Sequence, residues 1–202
     1  EEINLSDEEI LEIENIKIIG CGTSWHAALV GKFMFEELAK IPTEVEYASE
    51  FRYRNPILKP NTIVIAISQS GETADTIAAL KEAKKKGIKT ISICNVKGSS
   101  ITRASDGVVY TRAGPEIGVA STKAFTTQLA VLYLLTILFS KVRKTLNDKQ
   151  IKDMIDGIRK IPLQMASVLN EDAEIVNCAE LYHKKTNSLY LGRGVNFPIA
   201  LE

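Results

Sequence analysis

The chain has 202 residues, 45% of them hydrophobic, and its 25 Lys and Arg balance 25 Asp and Glu, so the formal net charge is zero. That length allows one domain, or one domain and part of another, around a sizeable core, and the ordinary composition excludes a disordered, collagen-like or coiled-coil chain. With no basic excess to neutralise phosphates, no nucleic-acid partner is expected.

The longest apolar run, Leu129 to Phe139, carries a Thr and spans eleven residues, where a bilayer-spanning helix needs about twenty. No membrane partner is expected from it. The opening Glu1-Glu2-Ile3-Asn4 is acidic, where a secretory signal would be basic, so the expected location is cytoplasmic. Cys21, Cys94 and Cys178 form no C-x-x-C pair, and only His26 and His183 supply imidazoles. Neither a zinc site nor any cofactor is expected on this spacing.

In chain order, Ser6 with Glu9 predicts a capping box and a short helix whose Ile10, Leu11 and Ile13 supply apolar contacts. Ile16 to Ile19 reads as a strand ending in Gly20-Cys21-Gly22-Thr23-Ser24, and a helix follows from about Trp25 to Lys40. Val45 to Ala48 reads as a second strand and Ser49 to Arg54 as a short helical piece. Ile63 to Ile67 is apolar throughout, as expected of a strand covered on both faces. A helix over 73–86 with Thr73, Ile77 and Leu80 on one face, a strand from Lys89 to Asn95 and a short one at Val108 to Tyr110 come next. The last element of this part is a long helix from about Ser121 to Lys141. Strands alternating with helices predict a three-layer αβα domain on a mostly parallel five-stranded sheet.

From Asn147 the pattern becomes helical, with predicted helices over 147–160, 163–169 and 172–185. The end of the chain then returns to the beginning. Leu189 to Phe197 overlays Lys17 to Trp25 at a shift of 172 positions, with Gly192 on Gly20, Gly194 on Gly22 and Phe197 on Trp25. A strand, a Gly-x-Gly turn and an aromatic-led helix are therefore expected twice, as an internal repeat. The expected organisation is a first α/β domain over 1–145, a helical connector over 146–186 and the truncated start of a second domain over 187–202.

Three loops could carry chemistry. The Gly20-Cys21-Gly22 turn lacks the third glycine of a dinucleotide fingerprint, and Trp25 stands in its place, which argues against NAD. Ser68-Gln69-Ser70-Gly71-Glu72-Thr73 follows the most apolar strand and opens a helix, where backbone amides and the helix dipole favour an anion. One helix cap needs one hydroxyl residue, whereas this loop has three, and it has no Lys or Arg. That set suits a monophosphate held by neutral donors, each worth about 1.5–3 kcal/mol against a charged acceptor. Gly114 to Lys123 lies on the carboxyl side of a strand; Ser121 and Thr122 could cap the long helix, and Lys123 could face either a phosphate or solvent. Asn95-Val96-Lys97-Gly98-Ser99-Ser100 reads as turn chemistry.

Taken together, Gly20 to Ser24, Ala48 to Arg54, Ser68 to Thr76, Ile93 to Val96 and Glu116 to Gln128 resemble the sugar isomerase (SIS) family. Within it they resemble the isomerase half of the glutamine-dependent fructose-6-phosphate aminotransferases. Gly192 to Glu202 resembles the start of that half's second SIS domain. The resemblance implies that Ser68, Gln69, Ser70 and Thr73 hold the sugar phosphate, with Thr23 and Ser24 nearby and Val119 and Ser121 along the sugar hydroxyls. It implies an enzyme making glucosamine 6-phosphate from fructose 6-phosphate and glutamine-derived ammonia, with a glutaminase domain in the parent chain and a homodimeric assembly. The family's catalytic Lys, Glu and His lie beyond the second Gly-x-Gly, and Glu202 matches the start of their helix. These residues are thus expected to bind fructose 6-phosphate or glucosamine 6-phosphate without turning it over. The alternatives are a non-enzymatic SIS module that senses sugar phosphate, and a deaminating amino-sugar-phosphate isomerase without a glutaminase.

Overall fold

The β-branched runs of the first half form one sheet. In a computed structural model that describes residues 3–118 and 121–202, β1 (Asn15–Gly20), β2 (Thr43–Tyr47), β3 (Thr62–Ser68), β4 (Lys89–Cys94) and β5 (Gly107–Tyr110) pair in the order β2-β1-β3-β4-β5. Every pairing is parallel. The registers set Gly20 beside Tyr47 and Ser68 beside Cys94, so the carboxyl ends of the central strands lie level. Strand order reverses between β1 and β3, and the crevice outside the carboxyl ends at such a point is where open α/β sheets take ligands.

Alternate side chains of β3 go to opposite layers. Ile63, Ile65 and Ile67 join a core with α1 (Asp7–Glu12), α2 (Thr23–Met34) and α6 (Lys123–Val142). Val64 and Ala66 join one with α3 (Ala48–Tyr53), α4 (Ala74–Lys85) and α5 (Ser100–Ala104). Every β3 residue is buried, as a strand covered on both faces must be.

Several local expectations are refined. The Ser6–Glu9 capping box is present, but Leu11 is exposed beside buried Ile10 and Ile13. The helix expected to Lys40 ends in a π turn, Phe35–Ala39, and Lys40 turns left-handed before Pro42. On α4 the buried face is Thr76, Ala79, Leu80 and Ala83; Leu80 is on it as expected, and Ile77 packs partly buried at its side. At Gly31 of α2 a side chain would stand 3.0 Å from Leu132 Cδ2 of α6, so these two helices touch almost backbone to side chain. By length and composition α6 could itself cross a bilayer; here half of its apolar window is buried, with Leu132, Leu135 and Phe139 inside the core.

Beyond the sheet, α7 (Asp148–Leu169) runs as one helix through Pro162, where two were expected, and α8 (Asp172–Tyr182) follows. The strand expected at Leu189 to Leu191 is absent: those residues are 77–82% exposed and join no sheet. A strand needs a neighbour for its backbone hydrogen bonds, and no described segment lies alongside. The turn that follows is formed, leading into α9 (Asn196–Leu201), which packs on α2.

Candidate functional site

At the β1/β3 crevice the first glycine of Gly20-Cys21-Gly22 lets α2 start hard against the strand, since a Cβ there would lie 3.1 Å from the Ser24 carbonyl carbon. Gly22 takes φ +54° at the helix entrance. Trp25, in the position of the missing third glycine, stacks flat on Tyr47 with ring centres 4.2 Å apart. Its bulk occupies the place where a dinucleotide fold brings helix and strand together.

The loop after β3 is wound tightly. Gly71 N donates to Ser68 Oγ at 2.9 Å, and Glu72 N donates to Ser70 Oγ at 3.2 Å. The Gln69 and Gly71 carbonyls are turned away, accepting from Asn95 N and Ile101 N. Two backbone amides expected to face an anion are thus consumed within the loop. In exchange, Ser70 Oγ accepts internally and keeps its proton for an outside acceptor, whereas Ser68 Oγ also has Thr73 Oγ1 within reach. Thr73 is the N-cap of α4 by position, but its hydroxyl makes no cap bond and lies 3.4 Å from Ser68 Oγ instead. Glu72 reaches outward to Ser100 N at 2.8 Å, and hydrogen bonding from Ser100 holds its carboxyl below the ordinary range.

A cavity of about 230 Å3 opens between these two loops and the start of α6. Thr23, Ser24, Ser68, Gln69, Ser70, Thr73 and Ser121 all line it. Val119 lies outside the described residues. Among the lining residues none is Lys or Arg, and Lys123 is exposed away from the cavity. Cavity contacts that sequence position did not single out come from Cys21, Thr76, Glu116 and Gln128. Glu116 caps α6: its Oε2 accepts from Ala124 N at 3.1 Å and from Ser121 Oγ at 3.3 Å, the task expected of Ser121 and Thr122. Asn95 keeps to turn chemistry, accepting from Ala113 N and donating to the Gly114 carbonyl.

Glu202 also arrives at this edge. Thr23 Oγ1 donates to its Oε1 at 2.8 Å, and its Oε2 lies 2.6 Å from His26 Nδ1. His26 stands one turn after Thr23 on α2, a spacing that puts both on one helix face and was legible in the sequence. Among the described residues no three His, Cys, Asp or Glu side chains gather as a metal site would require.

Comparison with known proteins gives the family. The SIS domain model matches residues 9–138. The chain is 50% identical over 201 residues to the glutamine–fructose-6-phosphate aminotransferase (isomerizing) of Methanosarcina acetivorans, covering all of this chain and 32% of that protein. It is 48% identical to the enzyme of the same name from Clostridium tetani, over 99% of this chain and 33% of that protein. The solved C-terminal domain of glucosamine-fructose-6-phosphate aminotransferase from Francisella tularensis superposes with a TM-score of 0.92 at 42% identity, over 96% of this chain and 55% of that one. The chain therefore spans about a third of the length of the curated relatives it matches. With a family model covering the whole sheet and a hydroxyl-lined crevice at its reversal point, this chain belongs to the SIS domain family.

Proposed function

We propose that this chain is the sugar-phosphate-binding part of the isomerase half of a glutamine–fructose-6-phosphate aminotransferase, which makes glucosamine 6-phosphate from fructose 6-phosphate and glutamine-derived ammonia. The observation that carries the reading is the cavity itself, where hydroxyls from two loops and the start of a helix converge without a cationic side chain. Ser68, Gln69, Ser70 and Thr73 form the phosphate end, with Thr23 and Ser24 nearby and Ser121 toward the sugar; the family resemblance gives Val119 the same task as Ser121. Four or five hydrogen bonds to a charged group, each worth about 1.5–3 kcal/mol, offset the missing cation.

The domain plan is 1–145 for the SIS unit, 146–186 for the connector and 187–202 for the opening of a second unit. The repeated glycine turn supports it: Gly194 has φ +58° against +54° at Gly22, and Phe197 N donates to Gly194 O as Trp25 N does to Gly22 O. Glu202, joined to Thr23 and His26, stands at the junction of the two units. A glutaminase domain in the parent chain, a homodimer and a cytoplasmic setting belong to the same reading. Identity of 50% to an aminotransferase across the chain favours it over a sensor or a deaminating isomerase.

Calorimetric titration with fructose 6-phosphate is the test. Ser70→Ala should weaken binding about tenfold, the equivalent of about 1.4 kcal/mol, and the 202-residue chain should show no isomerisation of the sugar. Equal affinity in wild type and mutant would remove the phosphate assignment.

A further inference from the structure

Gln128, on the second turn of α6, is 2% exposed and donates from Nε2 to Ser24 Oγ at 3.1 Å. Its other amide atom, Oε1, is buried and has no hydrogen-bond partner. Ser24 is itself 7% exposed, and both residues line the cavity. A buried carbonyl oxygen without a partner is costly, and such groups in folded proteins are few and call for an explanation. Here the orphan belongs to a residue that lines an open cavity, so an occupant bearing a donor that draws the amide toward it would satisfy it.

The neighbouring hydroxyl is constrained as well. A serine has one proton to give and two lone pairs to share. With Gln128 donating to it, Ser24 keeps its proton, and Ser24 Oγ makes no other hydrogen bond among the described residues. The amide thereby fixes Ser24 as a donor toward the cavity.

Resting on the sugar-phosphate reading above, we infer that Gln128 is a positioning and specificity residue. Its nitrogen sets the Ser24 hydroxyl as a donor to the phosphate, and its oxygen accepts from a hydroxyl or amino group on the sugar carbons. The pocket therefore recognises a phosphorylated polyol as a unit and holds free phosphate less well. A side-chain amide plays both parts. A carboxylate would take the Ser24 proton for itself and set its own charge against the anion, whereas a thioether offers Ser24 no N–H donor.

The test is titration of the full chain with fructose 6-phosphate and, separately, inorganic phosphate, for wild type, Gln128→Met and Gln128→Glu, each also in a Ser24→Ala background. Gln128→Met should weaken the sugar phosphate more than tenfold and inorganic phosphate by a smaller factor. With Ser24 already replaced, Gln128→Met should cost inorganic phosphate nothing further while still weakening the sugar phosphate, a non-additivity that a structural effect at a distance would not produce. Nearly isosteric Gln128→Glu should abolish measurable binding of both, read below a melting temperature that the buried carboxylate lowers, and the Met variant carries the test if the Glu variant fails to fold. Wild-type affinities in Gln128→Glu, or equal and additive losses for the two ligands, overturn the inference alone, provided Ser70→Ala still weakens binding. If wild type binds neither ligand, or Ser70→Ala binds normally, the phosphate reading falls and takes this inference with it.

Discussion

Gly71 is held by two independent constraints. Its backbone is left-handed, at φ +70°, and a β-carbon there would overlap the Ser99 side chain and come within 2.8 Å of Cys94 Sγ. The left-handed backbone costs any other residue about 1–2 kcal/mol, and forced overpacking adds about 1–3 kcal/mol. Gly71→Ala should therefore lower the thermal midpoint by about 5 °C or more and remove fructose 6-phosphate binding; a variant that melts and binds like wild type would show that the loop can be rebuilt cheaply. Much at this scale was legible beforehand. Three hydroxyl residues around a glycine, placed between an apolar strand and a helix, marked the loop that lines the cavity. The roles of Gln128 and Glu116 were not legible in the same way. Gln128 meets Ser24 across 104 positions, and Glu116 replaces nearer hydroxyls as the cap of α6, both outcomes of tertiary packing that spacing along a chain does not encode.

Between elements, Asp106 joins β4 to the last turn of α4. It accepts from Thr90 N at 2.9 Å and Thr90 Oγ1 at 2.7 Å, and pairs with Lys84 at 2.8 Å. Partial burial pushes its carboxyl upward, but the Lys84 and Thr90 hydrogen bonds and the Lys84 charge outweigh that and leave it below the ordinary range. An unfolded Asp titrates near about 3.9. With the folded value lower, the unfolded chain holds more protons between the two, so stability rises with pH across that interval. The contribution is present above the unfolded value and lost as pH falls through the folded one. Asp106→Asn should cost about 1–2 kcal/mol at pH 7 and flatten the acid limb of the denaturation midpoint, leaving the part that Glu46, also held low, contributes. An acid limb as steep as that of wild type would show that other carboxylates govern it. Element boundaries departed from the sequence where a partner was missing or a prohibition was mild. The apolar run at Leu189 found no sheet to join, and Pro162 gave up one hydrogen bond without ending α7. The helix Ser100–Ala104 is too short, at five residues, to show a helical period in the sequence.

The molecule as a whole repeats its opening device. Two Gly-x-Gly turns, 172 positions apart, start α2 and α9, and these helices pack on each other, with Glu202 after the second one bonded to Thr23 at the edge of the first one's cavity. The parallel order of the sheet could not be read from the strands, yet alternation of strand and helix already restricted it. Less visible from the sequence is what sets the width of the cleft. Ser24 lies two turns before Gly31 on α2, and Gln128 one turn before Leu132 on α6, so the glycine–leucine contact acts as a shim some 10 Å along α2 from Ser24, at about 1.5 Å of rise per residue. Gly31→Ala asks the leucine to yield by a few tenths of an ångström, and the affinity for fructose 6-phosphate should hold. Gly31→Val asks for more than the seam can give. It should splay the two helices, draw Ser24 away from Gln128 and weaken the ligand severalfold; an unaltered dissociation constant would show that the gap closes again before it reaches the cleft. A residue that never meets the sugar would then decide how tightly the walls around it can close.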